Sequence, residues 1–455
     1  MLMLVVVGLV SPLRAQEGAA EKETKARVEA LLNAVEALRA QVARDSAAQL
    51  ELQRQLEAVL GELEALRLGR EVVTVAESGA MGFGPAASKV YGVDQGVSIA
   101  GYGEVLYENF AGEREDGRPA GKTDRLDALR AILYVGYRFN DRILFNSEIE
   151  FEHGSTDNEG EASVEFAYLD YRLTDQLGLR AGLLLSPMGL INEVHEPPTF
   201  LGTTRPETER RILPSTWREN GLGLFGTVQG LQFRAYLLNG FDGVGGGSSK
   251  AEGFDASGLR GGRQNGSKAV AEDFAGVARV DYTGVLGLMV GGSVYVGQAG
   301  QNNPSPDRPG ATIGARTLIW EGHAQYQARG LDLRGLFAFA DLDDVAALNR
   351  ARGLEGTASI GERLVGGYVQ GGYDVLHRLA TPHQLIPYVR YERLDTQSRV
   401  PSGFEADPAN DQTIWSLGAA WKPIPSFVVK TDYQIHTNRA DTGIDQWNVV
   451  LGYLF

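Results

Sequence analysis

The segment DQTIWSLGAAWKPIPSFVVKTDYQIH, residues 411–436, decides the fold. Its first half puts Trp415, Leu417, Ala419 and Trp421 on one face and Gln412, Ser416, Gly418 and Lys422 on the other. After the break at Pro423-Ile424-Pro425 the alternation resumes, with Phe427, Val429, Tyr433 and Ile435 opposed to Lys430, Asp432, Gln434 and His436. Alternation with period two marks a strand with two unlike faces, and two such strands joined by a proline-containing turn form a hairpin. Trp415 and Trp421 lie about 20 Å apart along such a strand, which suits aromatic girdles bounding an apolar band about 25 Å tall.

The same pattern extends outward from this hairpin. At the C-terminus Trp447, Val449, Leu451, Tyr453 and Phe455 oppose Gln446, Asn448 and Gly452. Far upstream, Ile143, Phe145, Ile149 and Phe151 oppose Asn146, Glu148, Glu150 and Glu152. From residue 97 onward there are sixteen candidate strands: 97–109, 128–139, 142–153, 162–173, 177–187, 220–229, 230–239, 273–283, 286–298, 313–328, 330–342, 363–376, 384–396, 411–422, 425–437 and 443–455. Tight turns such as Asn140-Asp141, Asp175-Gln176 and Arg329-Gly330 alternate with long polar connections at 110–127, 188–219, 240–272, 299–312, 343–362 and 397–410. Short turns on one side and long loops on the other predict an all-β transmembrane barrel of sixteen antiparallel strands, apolar face outward. A soluble extracellular β-protein would bury the apolar face instead, and alternation alone does not separate the two.

Composition fits the membrane reading. The chain has 455 residues, 58 glycines, no cysteine and a net charge of −15. The acidic balance argues against nucleic acid as a partner, and the lack of cysteine excludes disulfides, thiolate metal sites and thiol nucleophiles. A mean hydropathy of −0.18 excludes a polytopic helical membrane protein but not a barrel, whose strands average polar with apolar residues. Residues 1–15 read as a signal peptide, with an apolar run Leu2–Val10, the break at Pro12 and a small residue at Ala15. Residues 16–70 read as an α-helical coiled-coil stalk. With Val28 at position a, the a positions are Val28, Val35, Val42, Gln49, Leu56 and Leu63, and the d positions are Leu31, Leu38, Asp45, Leu52, Val59 and Leu66. One register held this long is a supercoil seam rather than the wider stripe of a helix on a globular core. Residues 71–96 then read as a Gly/Ala/Ser-rich linker, and 97–455 as the barrel.

The barrel segment resembles the Gram-negative outer-membrane porins grouped with the phosphate-selective porins O and P. The resemblance is carried by Gly101-Tyr-Gly-Glu104, Tyr137-Arg-Phe-Asn-Asp141, Glu148-Ile-Glu-Phe-Glu152, Ala181-Gly-Leu-Leu-Leu-Ser-Pro-Met-Gly189, Trp217-Arg-Glu219 and Leu451-Gly-Tyr-Leu-Phe455. It implies an outer-membrane location, usually a trimer, and passive diffusion of small hydrophilic solutes or ions through a water-filled channel, anions such as phosphate among them. It also implies contact with lipid and lipopolysaccharide, and recognition of Phe455 by the barrel-insertion machinery. In the resembling porins the third long loop folds into the barrel and narrows it. Here that loop spans 188–220, carries Glu193, His195 and Glu196, and is stiffened by Pro197, Pro198, Pro206 and Pro214. The candidate constriction residues on it are Arg205, Glu207, Glu209, Arg210, Arg211 and Arg218. An alternative role is an anchor whose periplasmic stalk tethers the outer membrane to peptidoglycan.

Strand parity places Arg138, Glu148, Glu150, Arg172, Arg180, Arg234, Arg279, Asp281, Arg334, Arg390, Glu392, Lys430 and Asp432 on the polar face, as candidate pore-lining residues. Opposed charges along a water-filled wall orient polar solutes and tune ion selectivity. Enzyme readings find no support. The six histidines form no HExxH or HxxxH pair, so metal-ligand spacing is missing, and no GxSxG elbow is present. No cofactor and no metal are expected. Gly243-Val-Gly-Gly-Gly-Ser-Ser-Lys250 lacks the ending of a phosphate loop and reads as flexible linker.

Overall fold

The computed structural model describes residues 32–33, 79, 81–156 and 160–455. The expected signal peptide and the heptads lie outside these residues, except that Leu32 and Asn33 are helical and exposed.

Sixteen strands follow in order: β1 Gly96–Phe110, β2 Arg125–Arg138, β3 Ile143–Glu152, β4 Ala162–Arg172, β5 Leu177–Leu185, β6 Arg218–Val228, β7 Leu231–Asn239 and β8 Phe274–Val285. The second half comprises β9 Leu288–Gln298, β10 Arg316–Ala328, β11 Leu331–Leu342, β12 Arg363–Tyr373, β13 Gln384–Arg399, β14 Asp411–Ile424, β15 Phe427–Asn438 and β16 Gln446–Leu454. Each strand pairs antiparallel with its sequence neighbours, and β1 pairs with β16 to close the barrel. At that seam Tyr102 faces Leu454, Phe455 N donates to Gly101 O at 2.9 Å, and Gly101 N donates to Phe455 O at 3.1 Å. Closure leaves no unpaired strand edge, which a sheet in lipid requires.

The two faces sort as the alternation predicts. On β14, Leu417 is 49% exposed and Trp415 and Trp421 are exposed with it, while Ser416, Ala420 and Lys422 are buried. Exposed Val97, Ile99, Leu133, Leu222, Leu237, Val280 and Val369 continue the outward apolar surface, and exposed Trp320, Trp447, Tyr137, Tyr171 and Tyr453 add aromatic rings. Inside lie Glu104, Glu148, Asp170, Arg180, Arg279, Asp281, Lys430 and Asp432, all buried. This arrangement, apolar outward and charge inward, is the inverse of a soluble barrel.

Two segments occupy the interior. The first corrects the expected linker in part: of residues 71–96, a stretch from Phe83 to Val90 packs inside the barrel, while Lys89, Gly92, Asp94 and Gln95 are exposed. Phe83, Ala86, Ala87 and Val90 are buried. A Cβ added to Gly136 on β2 would come within 2.6 Å of Val90, so glycine there lets the segment lie directly on the wall. Asn146 of β3 donates to Ala87 O at 2.8 Å, and Arg138 of β2 donates to Val93 O at 2.8 Å. The second is the long loop 186–217 between β5 and β6. Asn192 ties its neck, donating to Ser186 O at 2.7 Å and Trp217 O at 2.9 Å and accepting from Trp217 N at 2.8 Å. Gly243–Lys250, expected as flexible linker, is part of the loop between β7 and β8, where Gly245 N donates to Asp242 at 2.8 Å and Lys250 pairs with Glu161.

Candidate functional site: constriction loop and vestibule

The loop 186–217 starts at β5 and runs across the lumen to the opposite wall. Close to its origin, Glu193 pairs with Arg234 of β7 at 3.1 Å, and Arg279 of β8 donates to Gly189 O. On the far side Arg334 of β11 donates to Thr199 O at 2.8 Å, Lys422 of β14 to Pro198 O at 2.7 Å, and Lys430 of β15 to Gly202 O at 2.9 Å. Asp432 of β15 accepts from Thr203 N at 2.9 Å and Thr203 Oγ1 at 2.7 Å, and Glu392 of β13 accepts from Thr208 N at 2.6 Å. Its five prolines, Pro187, Pro197, Pro198, Pro206 and Pro214, restrict the backbone, and the charged wall supplies partners for its exposed carbonyls and amides.

These contacts revise the role of the pore-lining candidates. Arg279 with Asp281 and Arg334 with Asp332 pair along their own strands, at 2.8 and 2.9 Å. Both arginines also reach the loop, and so do Arg390, Glu392, Lys430 and Asp432, with Arg390 reaching Thr204 O at 3.4 Å. Arg180 holds Asp170 through two bonds of 2.8 and 2.9 Å, receives the rings of Phe83, Tyr168 and Phe225 on its guanidinium, and donates to Tyr91 Oη at 2.8 Å. Glu148 and Glu150 are buried beside the loop. Most of the expected lining is therefore committed to holding interior segments. Arg138 and Arg172 border a shallow cleft at the short-turn end, and Arg390 and Glu392 border the larger cavity at the long-loop end.

That cavity is a vestibule of about 500 Å³. Lys122, Arg125, Arg205, Arg210, Arg211 and Arg390 line it, against Glu108, Glu207 and Glu392, so its rim is net basic. Of the constriction candidates, Arg205, Glu207, Arg210 and Arg211 face it. Glu207 pairs with Arg210 at 3.0 Å and Arg211 at 2.6 Å. Burial would raise the Glu207 carboxyl, but the two arginines outweigh it and hold it below the ordinary range. Arg205 is buried, and its Nε and Nη2 have no hydrogen-bond partner among the described residues. Burial, with Arg130 nearby, pushes its guanidinium down from the ordinary value. The other two candidates are structural. Glu209 accepts from Leu190 N, Ile191 N and Tyr368 Oη at 2.7, 2.8 and 2.6 Å, and Arg218 pairs with Glu165 at 2.6 Å.

Residues that strand parity did not single out sit at the junctions. Glu196 accepts from Ala86 N at 3.0 Å and Ala87 N at 2.9 Å, joining the loop 186–217 to the N-terminal segment. Burial pushes its carboxyl up to about 7, against the pull of those two amides. His195 reaches Glu148 at 3.1 Å and Glu165 at 3.9 Å, so three side chains of metal-ligand type meet although no ligand spacing exists in the sequence. Burial would lower the His195 imidazole, but Glu148 outweighs it and the net direction is up. Glu165 was hidden by a β-bulge. Glu148 pairs with Phe166 and Ile149 with Val164, so Glu165 is left over and turns inward beside Phe166.

The fold matches solved outer-membrane proteins at low sequence identity. A loop L8 deletion mutant of OmpT, an outer membrane protein of Vibrio cholerae, is 14% identical with a TM-score of 0.50, over 80% of this chain and 100% of that one. A Salmonella typhi OmpF complex with daunomycin is 15% identical with a TM-score of 0.51, over 80% of this chain and 98% of that one. No family model matches the chain. An uncharacterized protein of Aquifex aeolicus (strain VF5) is 36% identical over 382 residues, covering 82% of this chain and 83% of the relative. The chain belongs to one family with that Aquifex protein, and its fold is the sixteen-stranded barrel of the outer-membrane porins.

Proposed function

We propose that the chain is an outer-membrane porin that admits small hydrophilic anions through a basic vestibule onto a constriction loop. The observation that carries this reading is the vestibule of about 500 Å³, with Arg205 among its lining and the buried Nε and Nη2 of that residue lacking a hydrogen-bond partner among the described residues. A partly desolvated guanidinium in a low-dielectric cleft attracts anions more strongly than one in open water, and neighbouring Lys122, Arg125 and Arg210 add to the same field. Carboxylates and phosphates, the latter in line with the resemblance to phosphate-selective porins, are the solutes this chemistry favours. The exposed apolar band suits lipid and lipopolysaccharide, and exposed Phe455 suits recognition by the insertion machinery. A trimeric assembly and a periplasmic coiled coil are part of the proposal.

A second reading, an anchor that binds peptidoglycan through its stalk, draws on the density of buried contacts between the loop 186–217 and the wall. Reconstitution of the purified chain in a planar bilayer separates the two. Discrete open-channel steps with chloride preferred over potassium support the porin, whereas a folded barrel that gives no steps supports the anchor.

A further inference from the structure

His195 on the constriction loop, Glu148 on β3 and Glu165 on β4 converge, all three buried, and one ligand-type atom from each lies within 4.8 Å of the others. The imidazole is oriented from behind. His195 Nδ1 lies 2.9 Å from Asn192 O, and a carbonyl only accepts, so Nδ1 carries the hydrogen and Nε2 faces the carboxylates. This is how metal-bound histidines are held, with one nitrogen donating to a backbone carbonyl and the other free to ligate. Glu165 is aimed by the bulge in β4 and steadied by Arg218, which bonds its Oε1 at 2.6 Å.

Two further observations point to a cation. Glu148 Oε2 and Glu165 Oε2 are buried and have no hydrogen-bond partner among the described residues. Charge is also uneven across the cluster. Arg130 pairs with Glu104 at 2.9 Å and Glu150 at 3.3 Å, and Arg218 pairs with Glu165, whereas among the described residues Glu148 forms an ion pair only with His195 and feels Arg218 from farther away. A proton on Nε2 gives a single N–H, which reaches one oxygen of Glu148 and leaves both unpartnered oxygens as they are. A metal ion accepts donors from all three side chains at once and offsets the cost of burying two carboxylates together.

We propose that His195, Glu148 and Glu165 form a binding site for a divalent transition metal that fastens the constriction loop to the barrel wall. One imidazole with two carboxylates suits Zn²⁺ or Mn²⁺, whereas Ca²⁺ would favour an all-oxygen set and Cu⁺ a sulfur set. The site stands whether or not the barrel conducts, because its three ligands depend only on the loop lying against β3 and β4.

The test uses the full chain, purified in detergent, stripped with chelator and equilibrated with Zn²⁺ alone before metal analysis. The expected result is about one Zn²⁺ per chain, bound at least about tenfold more tightly than by His195→Gln. Equal Zn²⁺ content in wild type and His195→Gln would overturn the proposal and leave a protonated imidazole between the glutamates. Because a Glu148 variant risks misfolding, zinc-edge absorption on the wild-type protein supplies the second measurement. One imidazole with carboxylate oxygens supports the site, and a shell of oxygen donors without imidazole overturns it.

Discussion

Glu196 accepts two consecutive backbone amides, from Ala86 and Ala87, in a buried setting where nothing else among the described residues takes them. The backbone approaches so closely that a Cβ on Gly84 would fall 2.7 Å from the Glu196 carboxyl. Glu196→Ala should therefore loosen the segment before β1 by about 1–3 kcal/mol, the cost of leaving a buried amide without an acceptor. Hydrogen exchange reads this directly: the Ala86 and Ala87 amides should lose protection while β1 keeps its own, and unchanged protection would show that Phe83 and Val90 hold the segment without Glu196. Glu196 and His195 were legible only as polar residues of a proline-stiffened loop, since their partners are far away in sequence. Glu165 was not legible at all, because alternation assumes an unbroken register and a single bulge shifts every parity on one side of it. Glu209 and Arg218 carry the charges expected of a constriction, yet Glu209 is consumed by the folded loop and Tyr368, and Arg218 by Glu165, which the bulge in β4 turns inward.

At the scale of the element, the strands were the most legible part. Their two faces meet the barrel's outside and its polar interior, so the residues alternate, and all sixteen were found with bounds within three residues of those observed. The outward face can be tested on β14. Leu417→Arg places a charge on the lipid side and should cost about 2–4 kcal/mol near the bilayer midplane. The matched inward control is Gln412, which borders the vestibule. Ser416 does not serve, because it is fully buried 3.3 Å from the Arg390 guanidinium, and a second arginine there would meet the first. Comparable assembly of the Leu417→Arg and Gln412→Arg barrels would contradict the face assignment. The interior segments were far less legible. Residues 81–95 read as linker because glycine, alanine and serine signal flexibility when no wall is in view, and the same small residues are what allow a chain to lie flat against a barrel. Deleting 199–214 would remove Thr203 and Thr208, the partners of Asp432 and Glu392, and return those carboxylates to water. Single-channel conductance should rise, whereas an unchanged value with an intact barrel would mean that another segment sets the narrowest cross-section.

For the whole molecule, two charge distributions compete. The chain carries a net charge of −15, yet the vestibule lining is basic. Which of them an ion experiences depends on distance and screening. The Debye length is about 10 Å at 0.1 M salt and about 3 Å at 1 M, so acidic groups remote from the vestibule are largely screened at either concentration. The arginines of the vestibule lie at the edge of a low-dielectric wall where screening is weaker, and they should set the selectivity. Reversal potentials in potassium chloride gradients should thus show an anion preference centred on 0.1 M that shrinks toward none at 1 M. Changing Arg205, Arg210 and Arg211 together to Ala leaves Lys122, Arg125 and Arg390 against Glu108, Glu207 and Glu392. Glu207 also loses both of its ion-pair partners. The anion preference should then largely vanish at 0.1 M, with selectivity shifted toward cations. A wild-type channel that prefers potassium at both salt concentrations would mean that the overall acidic charge governs permeation, and the vestibule would lose its assigned role.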